Sequence, residues 1–164
     1  MSVITRIVVI GLLCFPAITL AGGIGSTGEV SLVRVPNGGD PVAARMTGDG
    51  VIHLLYNSRG IPYYVKSRDG GRTFSPPIPA VDQAARRPKL VFAGESMAVG
   101  KGDAVFVAMS TNNWQVKLPG VPDGLVYATL APGAKSFTPV RSLNQRPSEG
   151  FSLAADGKGD VAAT

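Results

Sequence analysis

A glycine turn followed by an apolar segment recurs along this chain, in "GDGVIHLLY" (Gly48 to Tyr56), "GKGDAVFVAM" (Gly100 to Met109) and "GKGDVAAT" (Gly157 to Thr164). Aligning the segments puts Ile52 with Val105, His53 with Phe106 and Leu54 with Val107, while Lys158 and Gly159 match Lys101 and Gly102. The tails of the units match as well: "YVKSRDGGRTFSPP" from Tyr64 aligns without a gap against "YATLAPGAKSFTPV" from Tyr127. Self-similarity at a period of a little over fifty residues restricts the chain to architectures that repeat one supersecondary unit. The second unit is longer than the first by about ten residues, and an insertion of that kind belongs in a loop. It is assigned to the polar, proline-containing stretch from Trp114 to Asp123.

The residues inside each unit favour strands. Val51 to Asn57, Pro62 to Ser67, Lys89 to Val99, Ala104 to Ser110 and Gly124 to Leu130 combine alternation with β-branched and aromatic residues, bounded by Gly, Asp and Asn. No window offers a convincing helical stripe. The 21 glycines and 13 prolines are spread between short apolar runs, and 45% hydrophobic against 16% charged residues is the composition of a packed domain. Four-stranded units at this spacing predict an all-β fold, a β-propeller built of such blades.

The first 21 residues stand apart. Arg6 is their only charge, and the apolar run "IVVIGLLCFPAITL" that follows ends in small residues near Thr19 and Ala21. This is the pattern of a secretory signal peptide over 1–21, cleaved near Ala21, with the propeller over 22–164. The alternative, a retained anchor, wants roughly 20 apolar residues, and Pro16 interrupts a shorter run. Leu13 before Cys14 is bulky where a lipid-modified leader wants a small residue, so the mature chain has no cysteine and no disulfide. A secreted or periplasmic location follows as an expectation, with no stable membrane insertion after cleavage.

Loss of Arg6 lowers the formal charge of +5 by one, and the remaining cations are scattered apart from "RRPK", Arg86 to Lys89. That cluster suits a solvated loop or an acidic glycan. Without a basic stripe interleaved with aromatics, nucleic acid is not an expected partner.

The stretch "SRDGGRTF" holds the densest chemistry. Asp69 before Gly70 and Gly71 suits a tight turn, Ser67 can bond the same loop, and Phe74 is placed to enter the core. It lacks the Lys-Ser or Lys-Thr of a phosphate loop and the alternating acids of a calcium loop, so neither metal nor cofactor is expected. The pattern Ser67-x-Asp69-x-Gly71-x-Thr73-Phe74 is an Asp-box, with a degenerate second copy in which Pro132 replaces the aspartate. Here the chain resembles the sialidase-like Asp-box (BNR-repeat) propellers, whose boxes are structural turns remote from the catalytic mouth. The resemblance runs from "GGDPVAARMTGDGVIHLLY" through the box to "FSLAADGKGDVAAT".

That resemblance implies candidates, each weighed against a plainer role. Sialidases of this family grip a substrate carboxylate with three arginines, and use a tyrosine paired with a glutamate as nucleophile and an aspartate as acid/base. "VRVP", Val33 to Pro36, resembles the motif of the first arginine without its aromatic residue, which makes Arg34 a candidate clamp or an ordinary strand arginine. Asp49 is explained by its turn. Glu95, Glu149 and Asp82 have no readable partner. His53 aligns with Phe106 and reads as a packing residue, and Trp114 could stack on a sugar or pack its loop.

About two and a half units fit this length, whereas propellers close with about 4 to 8 blades, and six blades are what the resemblance implies. The chain thus reads as the front part of a longer propeller, inactive on its own. Two functions follow: an exo-sialidase-type glycoside hydrolase acting on terminal sugars, with Arg34 in the clamp, or a non-catalytic propeller that binds glycan or surface protein.

Overall fold

The computed structural model describes residues 32–82, 86–144, 152–156 and 158–164. The leader assigned to 1–21 and the acid Glu149 lie outside them. Among the described residues the chain is all-β. A first antiparallel sheet runs in the order β1 (Asp40–Met46), β2 (Ile52–Ser58), β3 (Ile61–Ser67), β4 (Ile78–Pro79), and a second in the order β5 (Phe92–Val99), β6 (Val105–Thr111), β7 (Gly124–Leu130), β8 (Arg141–Asn144). A third pairs β9 (Leu153–Ala155) with β10 (Val161–Ala163). Up-and-down sheets of this kind, with β1 beside β5 and β5 beside β9, form a partial propeller-like array.

The repeat in the sequence is a repeat in hydrogen bonding. Ser75 N–H donates to Lys66 O at 2.8 Å, and Thr138 N–H to Thr129 O at 2.8 Å. The same two hydroxyls accept from the N–H groups of Lys66 and Thr129, at 3.1 and 3.0 Å. Both opening strands carry a bulge at the matching place, between Pro41 and Ala43 in β1 and between Gly94 and Ser96 in β5. The insertion falls in the β6–β7 connection, residues 112–123, where the first unit has only Arg59 and Gly60.

Alternation along the strands sorts side chains between the two faces of each sheet. Leu55 and Tyr64 of the first sheet meet Val107, Met109 and Val126 of the second in the principal core. Each of these strand positions is at least nine-tenths buried. The opposite face of the first sheet buries Leu54, Tyr56 and Val65 under Val35 and Phe74, and the far face of the second buries Ala98 and Ala108 against Leu153. Asn57 joins sheets one and two: its Oδ1 accepts Gly94 N–H at 2.8 Å.

Several expectations shift. The strand expected from Lys89 starts at Phe92, because Lys89 takes a left-handed φ of 68° and Leu90 N–H turns back to Arg87 O. Strands β1, β4, β8 and β9 were not expected: β1 contains Pro41 and shows no alternation in burial, β4 spans only Ile78–Pro79, and β9 is three residues long. The inserted loop also contains one helical turn, α1 (Asn113–Val116), too short to leave a helical stripe.

Candidate functional site

The two ends of the sheets differ in character. One carries the β1–β2 and β3–β4 connections of the first sheet and their counterparts in the second; the other carries the β2–β3 and β6–β7 connections. A strand of this length separates them by roughly 20 Å.

The Ser67–Phe74 stretch, whose sequence pattern resembles an Asp-box, occupies the first end and is built as a turn. Ser67, buried, donates its hydroxyl to Asp69 Oδ1 at 2.8 Å and accepts Gly71 N–H at 2.8 Å. Asp69 in turn takes the backbone N–H of Thr73 at 2.9 Å and its hydroxyl at 2.6 Å. The Thr73 hydroxyl, then the Thr73 N–H and Ser67, hold the Asp69 carboxyl down at about 2. Gly70 and Gly71 both take positive φ, the requirement that excludes most side chains here. In the degenerate copy a backbone bond, Ala134 N–H to Ala131 O at 3.0 Å, closes the turn without the aspartate. Each of the two matching stretches ends on a phenylalanine that packs inward: Phe74 against Val65 and Tyr56, Phe137 edge-on to Tyr64 at 6.2 Å.

Arg34 keeps company with this end. It is exposed and lies beside Arg72, Thr73 and Phe74, while neighbouring Val33 packs on Gly71. Asp49, also here, is tied to Thr47 Oγ1, and that bond lowers its pKa. His53 is fully buried with its Nδ1 on the Tyr64 hydroxyl at 2.8 Å, and burial lowers its pKa against the opposing pull of Asp103.

The opposite end presents Trp114, 53% exposed, on a loop that is fixed rather than loose. Asn112 clamps it to the run-up to β5: its Oδ1 accepts Val91 N–H at 2.8 Å and its Nδ2 donates to Lys89 O at 3.0 Å. Asn113, buried, sits at the loop's centre. Its amide nitrogen lies within reach of Val121 O at 2.8 Å, Asp123 Oδ1 at 3.0 Å and Leu118 O at 3.2 Å, and its Oδ1 accepts Leu118 N–H at 2.8 Å. Two amide hydrogens divided among three acceptors hold the whole connection together.

Below the indole runs a groove of about 270 Å³, lined among the described residues by Val91, Ala93, Ser110, Asn112 and Leu125. Glu95, at the β5 bulge, reaches Ser110 of that lining. The carboxylate is exposed, and Glu95 Oε1 accepts the Ser110 hydroxyl at 2.6 Å. The site therefore combines an indole face, a carboxylate acceptor and a hydroxyl on a rigid frame.

The sequence singled out Trp114 and left Glu95 without a partner; Ser110, Asn112 and Asn113 it did not single out. The two asparagines inside the insertion were the available signal, since asparagine bonds loop backbone. Arg34 and Trp114 are not brought together, because they sit at opposite ends of the sheets. Among the described residues no group of three or more His, Cys, Asp or Glu side chains could hold a metal ion, and no helix is long and apolar enough to cross a membrane. The "RRPK" cluster is not one outward patch, as the Arg86 guanidinium turns back to Val81 O at 3.4 Å.

No protein-family model and no curated protein matches this chain. Among solved structures it is similar to a polysaccharide lyase of family PL25, an ulvan lyase, with a TM-score of 0.45 and 17% identity over 73% of this chain and 34% of the lyase. The same figures describe that lyase bound to GlcA(1-4)Rha3S. The chain thus spans 34% of the length of the structure it matches.

Proposed function

We propose that this chain forms a sialidase-like Asp-box propeller module, exported to the periplasm or the exterior, that binds glycan at the loop end carrying Trp114. One observation carries the reading: a half-exposed indole shares a groove with Ser110, whose hydroxyl is bonded to Glu95. A sugar ring offers an axial C–H face and equatorial hydroxyls, so it needs a flat apolar surface and a few fixed acceptors and donors. Trp114 supplies the surface, Glu95 accepts, and Ser110 orients Glu95. Because Asn112 and Asn113 already order the loop, little conformational entropy is lost on binding.

Hydrolysis of terminal sugars by an exo-sialidase mechanism is the second reading. What favours it is that the exposed Arg34 guanidinium makes no ion pair among the described residues and is free to take a carboxylate. Its distance from Trp114 makes glycan binding the stronger reading. A glycan array probed with the chain and with Trp114→Ala tests the first: capture that depends on the indole supports it, and no capture by folded protein removes it. Release from a fluorogenic sialoside that collapses in Arg34→Ala would establish the second.

A further inference from the structure

Between the first and second sheets, at the Asp-box end, lies a cleft of about 630 Å³ whose floor is apolar and whose rim is cationic. Its floor includes Pro77 and Ile78 from the first sheet and Leu130 from the second, and its rim holds Lys66, Arg68 and Lys135 around a single acid, Asp103.

The charges do not cancel. Lys66 Nζ and Arg68 Nη2 each stand 3.9 Å from Asp103 Oδ2, the outer limit of an ion pair, and their side chains are 36% and 65% exposed. Lys135, exposed, has no ion pair among the described residues. Three cations thus line a cleft that holds one carboxylate and is walled by prolines, where screening by water is weaker than on an open surface. Their convergence follows from the repeat: residues 64, 66 and 68 alternate onto the face turned to the second sheet, and Lys135 comes from the degenerate box opposite. Asp103 is held in the cleft in a left-handed conformation, φ 68°, at the β5–β6 turn.

Beneath Asp103 lies a second, independent sign. His53 Nε2 is buried without a hydrogen-bond partner, 3.9 Å from Asp103 Oδ1. Its other nitrogen is paired with the Tyr64 hydroxyl at 2.8 Å. The cleft's one acid therefore stands against a buried ring nitrogen that has no hydrogen-bond partner among the described residues.

We infer that this cleft is a binding site for a small anionic ligand, a ring-sized body carrying one carboxylate, sulfate or phosphate. The guanidinium of Arg68 and the ammonium groups of Lys66 and Lys135 take the oxyanion, which relieves their mutual repulsion, while the body lies on the Pro77, Ile78 and Leu130 floor. Asp103 spaces the cations and excludes a second anion. This site is separate from the Trp114 groove and does not depend on it.

The test is calorimetric titration of the full chain, at constant ionic strength, with glucuronate, glucosamine 6-sulfate and glucose 6-phosphate, and with inorganic sulfate as the bodiless anion. At least one sugar anion should bind more tightly than sulfate. Lys66→Gln/Arg68→Gln and Lys135→Gln should each weaken it at least tenfold. Because Lys135→Gln removes repulsion rather than a contact, it should leave the thermal midpoint unchanged or raised, which a purely structural lysine would not do. Arg59→Gln, at the other end of the sheets, should bind the anion as the wild type does. The inference is overturned if no sugar anion binds, if the glutamine variants bind unchanged, or if Arg59→Gln, remote from the cleft, weakens binding as much as they do.

Discussion

Asp69 Oδ2 accepts the Thr73 hydroxyl at 2.6 Å, while its other oxygen takes the Thr73 N–H and the Ser67 hydroxyl. One carboxylate thus closes both sides of the turn between β3 and β4. Asp69→Ala should lower the urea midpoint of unfolding with little change in slope. Asp69→Asn should fall between it and the wild type, since one amide oxygen still accepts but the NH₂ cannot accept the Thr73 hydroxyl. The same bonds set a pH dependence. The folded carboxyl is depressed to about 2, against about 3.9 for the unfolded chain. Its contribution is therefore complete above the unfolded value and is lost as pH falls towards 2. Urea midpoints measured from pH 5 to pH 2 should show a decline that is shallower in Asp69→Ala.

His53 works in the same sense at higher pH. Burial lowers its folded pKa, with Asp103 pulling it up and Lys66 and Arg68 adding to the fall. Below about 6.5 the unfolded chain takes up a proton that the folded chain refuses. Stability should then fall as pH drops from 7 towards 5. His53→Phe, which copies Phe106 of the second unit, should flatten that slope, even though it leaves the Tyr64 hydroxyl without its partner. Thermal midpoints at pH 7, 6 and 5 for both proteins check this.

Asn113→Ala removes the hub of the β6–β7 connection. Buried groups stripped of hydrogen-bond partners cost about 1–3 kcal/mol each, and Leu118 N–H and Val121 O lose theirs. The variant should stay folded, with faster amide exchange confined to residues 112–123, and glycan capture should weaken several-fold because the indole is no longer held.

Gly39 has no room for a side chain. A Cβ there would collide with the Tyr56 ring and stand 2.7 Å from Asn57 O, a backbone atom that cannot rotate away. Gly39→Ala should destabilise by about 1–3 kcal/mol, whereas Gly48→Ala, which meets nothing within 4 Å, should be near neutral. Chemical denaturation of the two variants separates these outcomes.

How much of this was legible in the sequence depends on how local the cause is. The β2, β3, β6 and β7 strands announced themselves because each has a buried face and a repeat partner, and the box announced its turn because Ser67, Asp69 and Thr73 bond within a few residues. β1 was silent, since Pro41 and a largely exposed run give no alternation. The cleft was silent for a different reason: Lys66 and Lys135 meet only through the packing of two sheets, which no spacing records. Glu95 looked isolated because its partner, Ser110, reaches it across the β5–β6 pairing at a bulge.

Trp114 is the chain's only tryptophan, and the proposed glycan site stacks a sugar on its indole. The most direct measurement is its emission during titration of the full chain with 3′-sialyllactose, lactose and a panel of neutral and acidic oligosaccharides. Stacking on the indole should give a saturable shift in emission with at least one of them, weakened in Glu95→Gln and Asn113→Ala and unchanged in Lys135→Gln. Folded protein whose emission stays constant across the whole panel would contradict it.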